Sequence, residues 1–566
     1  MNRISRSHWY LTASFVLASI AACSGGGSSS EDAATHPGTG GAMTGGPSTG
    51  SGGGGNPSTG GGGMQGGDGG PGMPTGTGGN PGSGGAMTIP ETGQSVLQRN
   101  KDIARTGHFI QPKLTHAAVA NMMQDAAFTA AYTGGTWGVP LYMEDGAMHK
   151  GTFFIATMGN DVVAFDETTG ATTWTKNLGP IYANAPCGGP YKTVGIFGTP
   201  AIDPASRTLF VVAPTPTLNF MVHALSVDDG SEKAGWPVDA SMGAAAVPVG
   251  KHNQRGALSL VNGVLYIPFG GHWGDCNPYQ GRVLAIDTTD PTKRGVWATQ
   301  GERGAIWGTG GLASDGTSIF AVTGDSARKP PAMHAPEAPA GPDSNAVLRL
   351  TGLAVLPDRT AANYYYPTRW AAMDAADLDF GSNSPVFIKV PMAKQAGFVV
   401  ATSKDGHMAF LDSAHLGGQG GEIVDLVVAQ SGMSIHTAPA SYTTAMGTYV
   451  TISTDSGAHC PAGGGTVVMG VRVNVMAGGM IAPTVAWCAP NGTVTSPIAT
   501  TTDGKTDPIV WYMSGTGLVG VDGDTGMPVA KATGACPGVM RWTSPIAAQG
   551  RIIVGGGTGL CSWSVK

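Results

Sequence analysis

One unit recurs along this chain: a strand, a short turn, a second strand, then punctuation rich in Asp or Gly. Its clearest copy is GTFFIATMGNDVVAFDETTGATTWTKNLG, from Gly151 to Gly179. The runs of β-branched and aromatic residues predict strands. Asp166 to Gly170 predicts a tight turn in which glycine supplies a positive φ. Weaker copies start at Arg207, Gly263, Thr317, Ala396, Gly447, Asp507 and Gly550. A short strand, often opened by a small residue and proline, precedes all but one: GVPLYM, GTPAID, ALSLV, NSPVFI, TAPASY, TSPIAT and TSPIAA. The copy at Thr317 has GLAS instead, and ARKPPAMHAPEAPAGPD after it predicts a surface loop. Four strands repeated at about 40–50 residues predict the blades of a β-propeller. The expectation is an all-β, eight-bladed propeller, with seven blades as the alternative count.

The ends predict how the ring closes. The last copy stops at Lys566, one strand short of a full blade. FTAAYTGG, from Phe128 to Gly135, precedes the first blade and is expected to supply the missing strand, which hides two open sheet edges.

The chain ahead of the repeats is of another kind. Arg3 and Arg6 form a basic start, and Trp9 to Ala22 is apolar but too short to span a bilayer comfortably. Residues 1–22 therefore predict a secretory signal. Ile20-Ala21-Ala22-Cys23 resembles the bacterial lipobox, which implies cleavage before Cys23 and lipid attachment to it. Ser24 stands where an aspartate would favour inner-membrane retention, so the expected location is the outer membrane, on its periplasmic face or the cell surface. Residues 24–95 are a Gly, Ser, Thr and Pro tract with almost nothing apolar to bury, so chain entropy predicts a disordered tether. Residues 96–566 form the expected propeller. The formal net charge is −6 and no basic stripe occurs, which argues against nucleic acid as a partner.

With Cys23 assigned to lipid, six cysteines remain: Cys187, Cys276, Cys460, Cys488, Cys536 and Cys561. An even number in an exported chain predicts three disulfides. Cys460 with Cys488, and Cys536 with Cys561, flank neighbouring strands and read as local staples. GGHWGDCNPYQG holds His272, Asp275 and Cys276 together and raises two further readings, a metal site and a thiol nucleophile. No CxxC or HxxxH supports a metal, and a nucleophile needs a free thiol and an orienting third group. A Cys187–Cys276 bridge between neighbouring loops is preferred.

The copies resemble quinoprotein-type propeller repeats, named for pyrrolo-quinoline quinone, whose blades close on A-x-D-x-x-T-G-x-x-x-W. Ala164, Asp166, Gly170 and Trp174 carry that pattern here. Leu225 to Asp228 with Trp236, and Ala285 to Asp287 with Trp297, carry degenerate forms. Segments such as LTHAAV, CGGPYKTVGIFGTPAIDPASRTLFVV and DFGSNSPVFI extend the resemblance from about residue 98 to the C-terminus. The family's enzymes imply an axial quinone, an acidic base, a calcium ion and often vicinal cysteines. This chain has no Cys-Cys pair and no CxxCH haem motif.

In a propeller, residues just before each innermost strand line the axial mouth. Here they are Trp137, Phe197, Arg255, Trp307, Asp379, Asn383, His436, Arg541 and Trp542. Aromatic rings with Arg and His suit a peptide, glycan or protein ligand; the plain alternative is that the tryptophans only pack between blades. A further exported propeller with such repeats, the accessory subunit of the outer-membrane β-barrel assembly machine, works through protein partners, which implies a scaffold role. The reading is an envelope-tethered lipoprotein propeller acting as a ligand- or protein-binding module, non-catalytic, with no metal and no cofactor. The alternative is a pyrrolo-quinoline-quinone-dependent alcohol or sugar dehydrogenase with calcium.

Overall fold

The computed structural model describes residues 93–185, 191–241, 252–273, 275, 278–326, 343–432, 435–461, 465, 467–490 and 495–565. They form a β-propeller of eight antiparallel sheets. Blade 1 runs Leu141–Met143, Thr152–Ala156, Asp161–Asp166 and Thr172–Asn177. Blades 2 to 7 open with Ala201–Asp203, Ser259–Val261, Ala313–Ser314, Val386–Ile388, Ala440–Thr444 and Ile498–Thr501. Blade 8 opens with Ile546–Ala548. Blades 4 and 7 each carry a fifth, parallel strand, Gly418–Gln419 and His108–Ile110. Among the described residues no helix is long and apolar enough to cross a membrane.

The second and third strands are pressed between neighbouring blades, so both their faces are buried. That is why Thr152–Ala156 and Phe398–Thr402 read as unbroken apolar runs and not as alternations. The A-x-D-x-x-T-G-x-x-x-W close has a physical basis. Asp166 Oδ1 accepts from the backbone N–H of Thr168 and Thr169, and Gly170 takes φ +73°. Trp174 then donates its indole N–H to the Val227 carbonyl of blade 2 at 2.9 Å, tying blade to blade. Asp522, Thr525 and Gly526 repeat the turn in blade 7, where Trp487 of blade 6 bonds Gly523 at 2.7 Å.

Ring closure uses the expected stretch only in part, with Ala131 bridging Gly559 antiparallel. Met123–Gln124, upstream of Phe128, pairs antiparallel with Leu560–Ser564 of blade 8. The Phe128–Gly135 stretch only continues along the same edge, with Leu560 N–H bonding the Ala130 carbonyl and Tyr132 N–H the Thr558 carbonyl. A turn at Asp125, whose carboxylate accepts from Ala127 N–H, separates the two parts, and no hydrophobic pattern marks it.

A segment ahead of the blades threads the axis. Its groups meet the innermost strands in blade order. The Val96, Leu97, Ile103, Ala104, Thr106 and Gly107 carbonyls accept from Tyr142, Ile202, Ser314, Phe387, Ser441 and Ala499. The Gln98 side chain serves blade 3 by bonding both backbone groups of Leu260, and the Gln111 side chain reaches the Ala547 carbonyl of blade 8. One segment thus occupies backbone groups on the inner edges of all eight blades, groups that would be costly to bury unpaired. Arg99 and Arg105 of this segment are fully buried.

Two disulfides staple the rim, Cys460–Cys488 and Cys536–Cys561. Cys187 and Cys276 lie outside the described residues, as do residues 1–92 with Cys23.

Candidate functional site

Alternating strand direction divides the loops between two faces. Turns joining first to second and third to fourth strands lie on one face. Loops joining second to third strands, and blade to blade, lie on the other. The chain enters on the first face, where Gln94 N–H bonds the Glu144 carboxylate in the first turn of blade 1. A cavity of about 400 Å³ opens on the second face.

Of the residues the sequence places at the mouth, Arg255, Trp307, His436, Arg541 and Trp542 line this cavity. Trp542 is its centre. The ring lies 5.6 Å from His436 and 6.4 Å from Trp273, both stacked, and the guanidinium carbons of Arg255 and Arg541 sit 5.4 and 5.3 Å from it. Its backbone takes φ +66°, a left-handed conformation costly for a bulky residue. Three bonds to its carbonyl hold it there, from Arg99 Nη2 at 2.8 Å, Ser496 Oγ at 3.0 Å and Thr309 Oγ1 at 3.2 Å.

The others lie behind the wall. Trp137 is buried against Phe197 and Trp542, each 6.0 Å away. Asn383 is buried and bonds the Thr402 carbonyl. Asp379 is fully buried, accepting from Lys404 Nζ at 3.0 Å and Ser382 N–H at 2.9 Å.

Sequence reasoning missed several participants: Tyr191, Trp273, Lys404, Asp377 and Asp455 also line the cavity. His436 Nδ1 lies 2.7 Å from Asp455 Oδ2. Lys404 Nζ bonds Asp377 at 2.8 Å and lies 5.8 Å from the Trp307 ring centroid. The His272 loop is part of the wall. Asp275 turns to Tyr279 Oη at 2.8 Å and to Arg303 at 3.6 Å. His272 is buried beside the His252 carbonyl. Burial lowers its pKa to about 4, the nearby His252 carbonyl opposing this only in part, so it is neutral at pH 7.

A second missed feature lies deeper. Asp325, Asp377 and Asp379 each offer a carboxylate oxygen within 4.8 Å of the others. Asp325 follows the second strand of blade 4. Asp377 ends the helix Trp370–Ala376 in a left-handed cap that turns the chain toward Asp379. Burial, then the Asp379 carboxylate, raises Asp325 to about 10, against a bond from Asn345 Nδ2. Burial pulls Lys404 down, but Asp379 and Asp377 outweigh it and hold its ammonium above the ordinary lysine range. Three converging carboxylates are a donor set for a hard, oxygen-seeking cation.

No family model and no curated protein matches the chain. Solved structures do. A quinohemoprotein alcohol dehydrogenase from Pseudomonas putida HK5 superposes with a TM-score of 0.57 at 12% identity, over 83% of this chain and 80% of that one. The quinohemoprotein alcohol dehydrogenase of Comamonas testosteroni gives 0.54 at 14%, over 83% and 80%. A europium-containing methanol dehydrogenase gives 0.53 at 16%, over 83% and 91%. At such identities the likeness is one of fold: the chain is a quinoprotein-like β-propeller.

Proposed function

We propose that this chain is an exported, envelope-tethered propeller that binds a ligand in its axial cavity and works as a binding or scaffold module. One observation carries the reading. A cavity of about 400 Å³ gathers Trp273, Trp307 and Trp542 around Arg255, whose guanidinium has no carboxylate salt-bridge partner among the described residues. The buried indole N–H of Trp542 also lacks a protein partner among the described residues. Buried polar groups are normally satisfied, so these point to a ligand, or ordered water, that supplies the missing bonds. Aromatic walls with a few convergent polar groups suit a peptide, a glycan or a planar small molecule. The test is native mass spectrometry of the full chain purified from its own envelope. A stoichiometric bound species, lost in Trp307→Ala, supports the reading; a bare chain that binds nothing from envelope extracts counts against it.

The cluster of Asp325, Asp377 and Asp379 favours a second reading, a quinone-dependent dehydrogenase. The donor set fits a calcium ion, which would compete with Lys404 for two of the three carboxylates. The cavity wall offers indole rings and arginines for a planar, carboxylated cofactor, which when bound would accept the reducing equivalents of an alcohol or sugar. Of the three carboxylates Asp377 lines the cavity and would stand nearest that chemistry, with Asp379 buried behind it. The test adds pyrrolo-quinoline quinone and calcium with a panel of alcohols and sugars and follows an artificial dye. Turnover that disappears on chelation and in Asp379→Asn would replace the binding-only reading.

The tether rests on Cys23. Cys23→Ala is expected to move the protein from the membrane fraction to the soluble envelope fraction; a variant that stays membrane-bound removes the lipid anchor from the proposal.

A further inference from the structure

The exposed apolar side chains of this propeller are mostly of one chemical type. Among the described residues, seven of the eleven exposed large hydrophobics are methionines. Ordinary surface stickiness would be shared among Leu, Ile, Val and Phe. An excess confined to methionine points to the thioether itself.

Three of these methionines lie on two turns whose backbones touch, on the face opposite the cavity. Met392 lies between the first two strands of blade 5, Val386–Ile388 and Phe398–Thr402, and is 85% exposed. Met476 and Met480 flank the hairpin tip between Val467–Val475 and Ile481–Pro490 of blade 6, at 56% and 63% exposure. Met476 N–H bonds the Met480 carbonyl at 2.7 Å, so the two face each other across the hairpin. Lys394 N–H bonds the Gly479 carbonyl at 2.8 Å, docking the Met392 loop on the same tip. A Cβ at Gly479 would lie 3.1 Å from the Met392 carbonyl, so the backbones are in contact.

Folding explains little of this. Met392 takes φ +64°, a conformation that disfavours a side chain, yet it is 85% exposed. A Cβ at Gly478 would meet nothing within 4 Å, so the hairpin tip is open there. Two rotatable bonds position each sulfur and a third turns its methyl group away, so the sulfurs can swing toward a common point.

We propose that Met392, Met476 and Met480 form a thioether site for a soft monovalent cation, Cu(I), with Ag(I) as its redox-inert probe. Neutral sulfur donors discriminate against calcium, magnesium and zinc, which prefer oxygen, imidazole or thiolate, and favour d¹⁰ monovalent ions. No proton competes for a thioether, so binding is independent of pH where histidine sites weaken. Met446 and Met527 repeat the arrangement one blade on, joined by Thr444 Oγ1 to Asp524 Oδ1 at 2.7 Å. With two sulfurs they make a weaker second position.

The experiment titrates Ag(I) in chloride-free buffer into the full chain. It compares wild type with the Met392→Leu, Met476→Leu, Met480→Leu triple variant, whose exposed, near-isosteric changes leave the fold intact by circular dichroism. Wild type is expected to take up one tight equivalent that the triple variant lacks. Each single change should weaken it at least about tenfold. The site should hold equally at about pH 5 and about pH 7.5, where imidazole changes charge. X-ray absorption of the Cu(I) form should show sulfur as the ligand set. A triple variant that matches wild type, or a wild type with no tight equivalent, overturns the proposal and leaves the cavity reading untouched.

Discussion

Arg99 Nη2 donates to the carbonyl of Trp542 at 2.8 Å, joining the axial segment to the floor of the cavity. Arg99 is wholly buried and bonds Ser496 Oγ as well. Because Trp542 holds a disfavoured φ, its carbonyl bonds are what keep the indole in place. Arg99→Ala should cost about 2–3 kcal/mol, the usual loss for a buried bond from a charged donor. It should also alter near-ultraviolet circular dichroism, as Trp542 relaxes against Trp273 and His436. An unchanged aromatic spectrum would show that Ser496 and Thr309 hold the floor alone.

Trp307 and Trp542 should respond differently to truncation. Trp307 is half-buried and makes one indole bond, to the Gly271 carbonyl at 3.1 Å. Trp307→Ala should weaken a cavity ligand by about 2 kcal/mol, roughly thirtyfold, with little loss of stability. Trp542 is 7% exposed and packed on several sides, so Trp542→Ala should destabilise by about 3–5 kcal/mol as well. Equal melting temperatures for the two variants would contradict this division, and calorimetry with thermal denaturation checks it.

The fold was legible where chemistry repeats. The small-residue and proline punctuation before GTPAID, NSPVFI and TSPIAT marks innermost strands because that position must turn sharply and then pack at the axis. The residues just ahead of those strands fall on the cavity face, which is why Arg255, Trp307, His436 and Trp542 could be placed from sequence. The closing edge is shared between Met123–Gln124 and the expected stretch at Ala131, because edge pairing here uses backbone groups and not an alternating apolar pattern. The role of Val96 to Gly107 left no trace for the same reason, since its carbonyls do most of the binding. Asp325 joins Asp377 and Asp379 only through the fold of the blade 4 to blade 5 connection, and the Pro/Ala insertion separates them in sequence. Lys404 and Asp455 come from loops between second and third strands, where no local motif distinguishes them.

The two rim disulfides should stabilise by comparable amounts. Cys460–Cys488 spans 28 residues and Cys536–Cys561 spans 25. Loop-closure entropy for loops of this size gives about 3–4 kcal/mol each. Replacing either pair by serine should lower the denaturant midpoint, and thiol labelling of the denatured, unreduced protein should find these four cysteines blocked. Labelling of Cys460 or Cys536 at full occupancy would contradict the staples.

Asp325 should make stability fall as pH rises. Burial and the Asp379 carboxylate place its folded pKa at about 10, while the unfolded chain titrates near 4. Between those values the folded chain holds a proton that the unfolded chain has released. The contribution to stability is therefore complete below about pH 4 and lost progressively as pH climbs to about 10, by up to about 1.4 kcal/mol per unit. Asp325→Asn keeps the shape and can still accept from Asn345 Nδ2, but it cannot titrate. Melting curves from about pH 6 to about pH 9 should converge, or cross, because wild type falls more steeply than the variant over that window. Calcium adds a discriminating arm. An ion held by Asp325, Asp377 and Asp379 would displace the proton, so it should flatten the wild-type slope and leave Asp325→Asn unchanged. Parallel curves for the two proteins would mean that Asp325 is ionised in the folded chain. A calcium effect of equal size in both would place the ion elsewhere and remove the main support for the dehydrogenase reading.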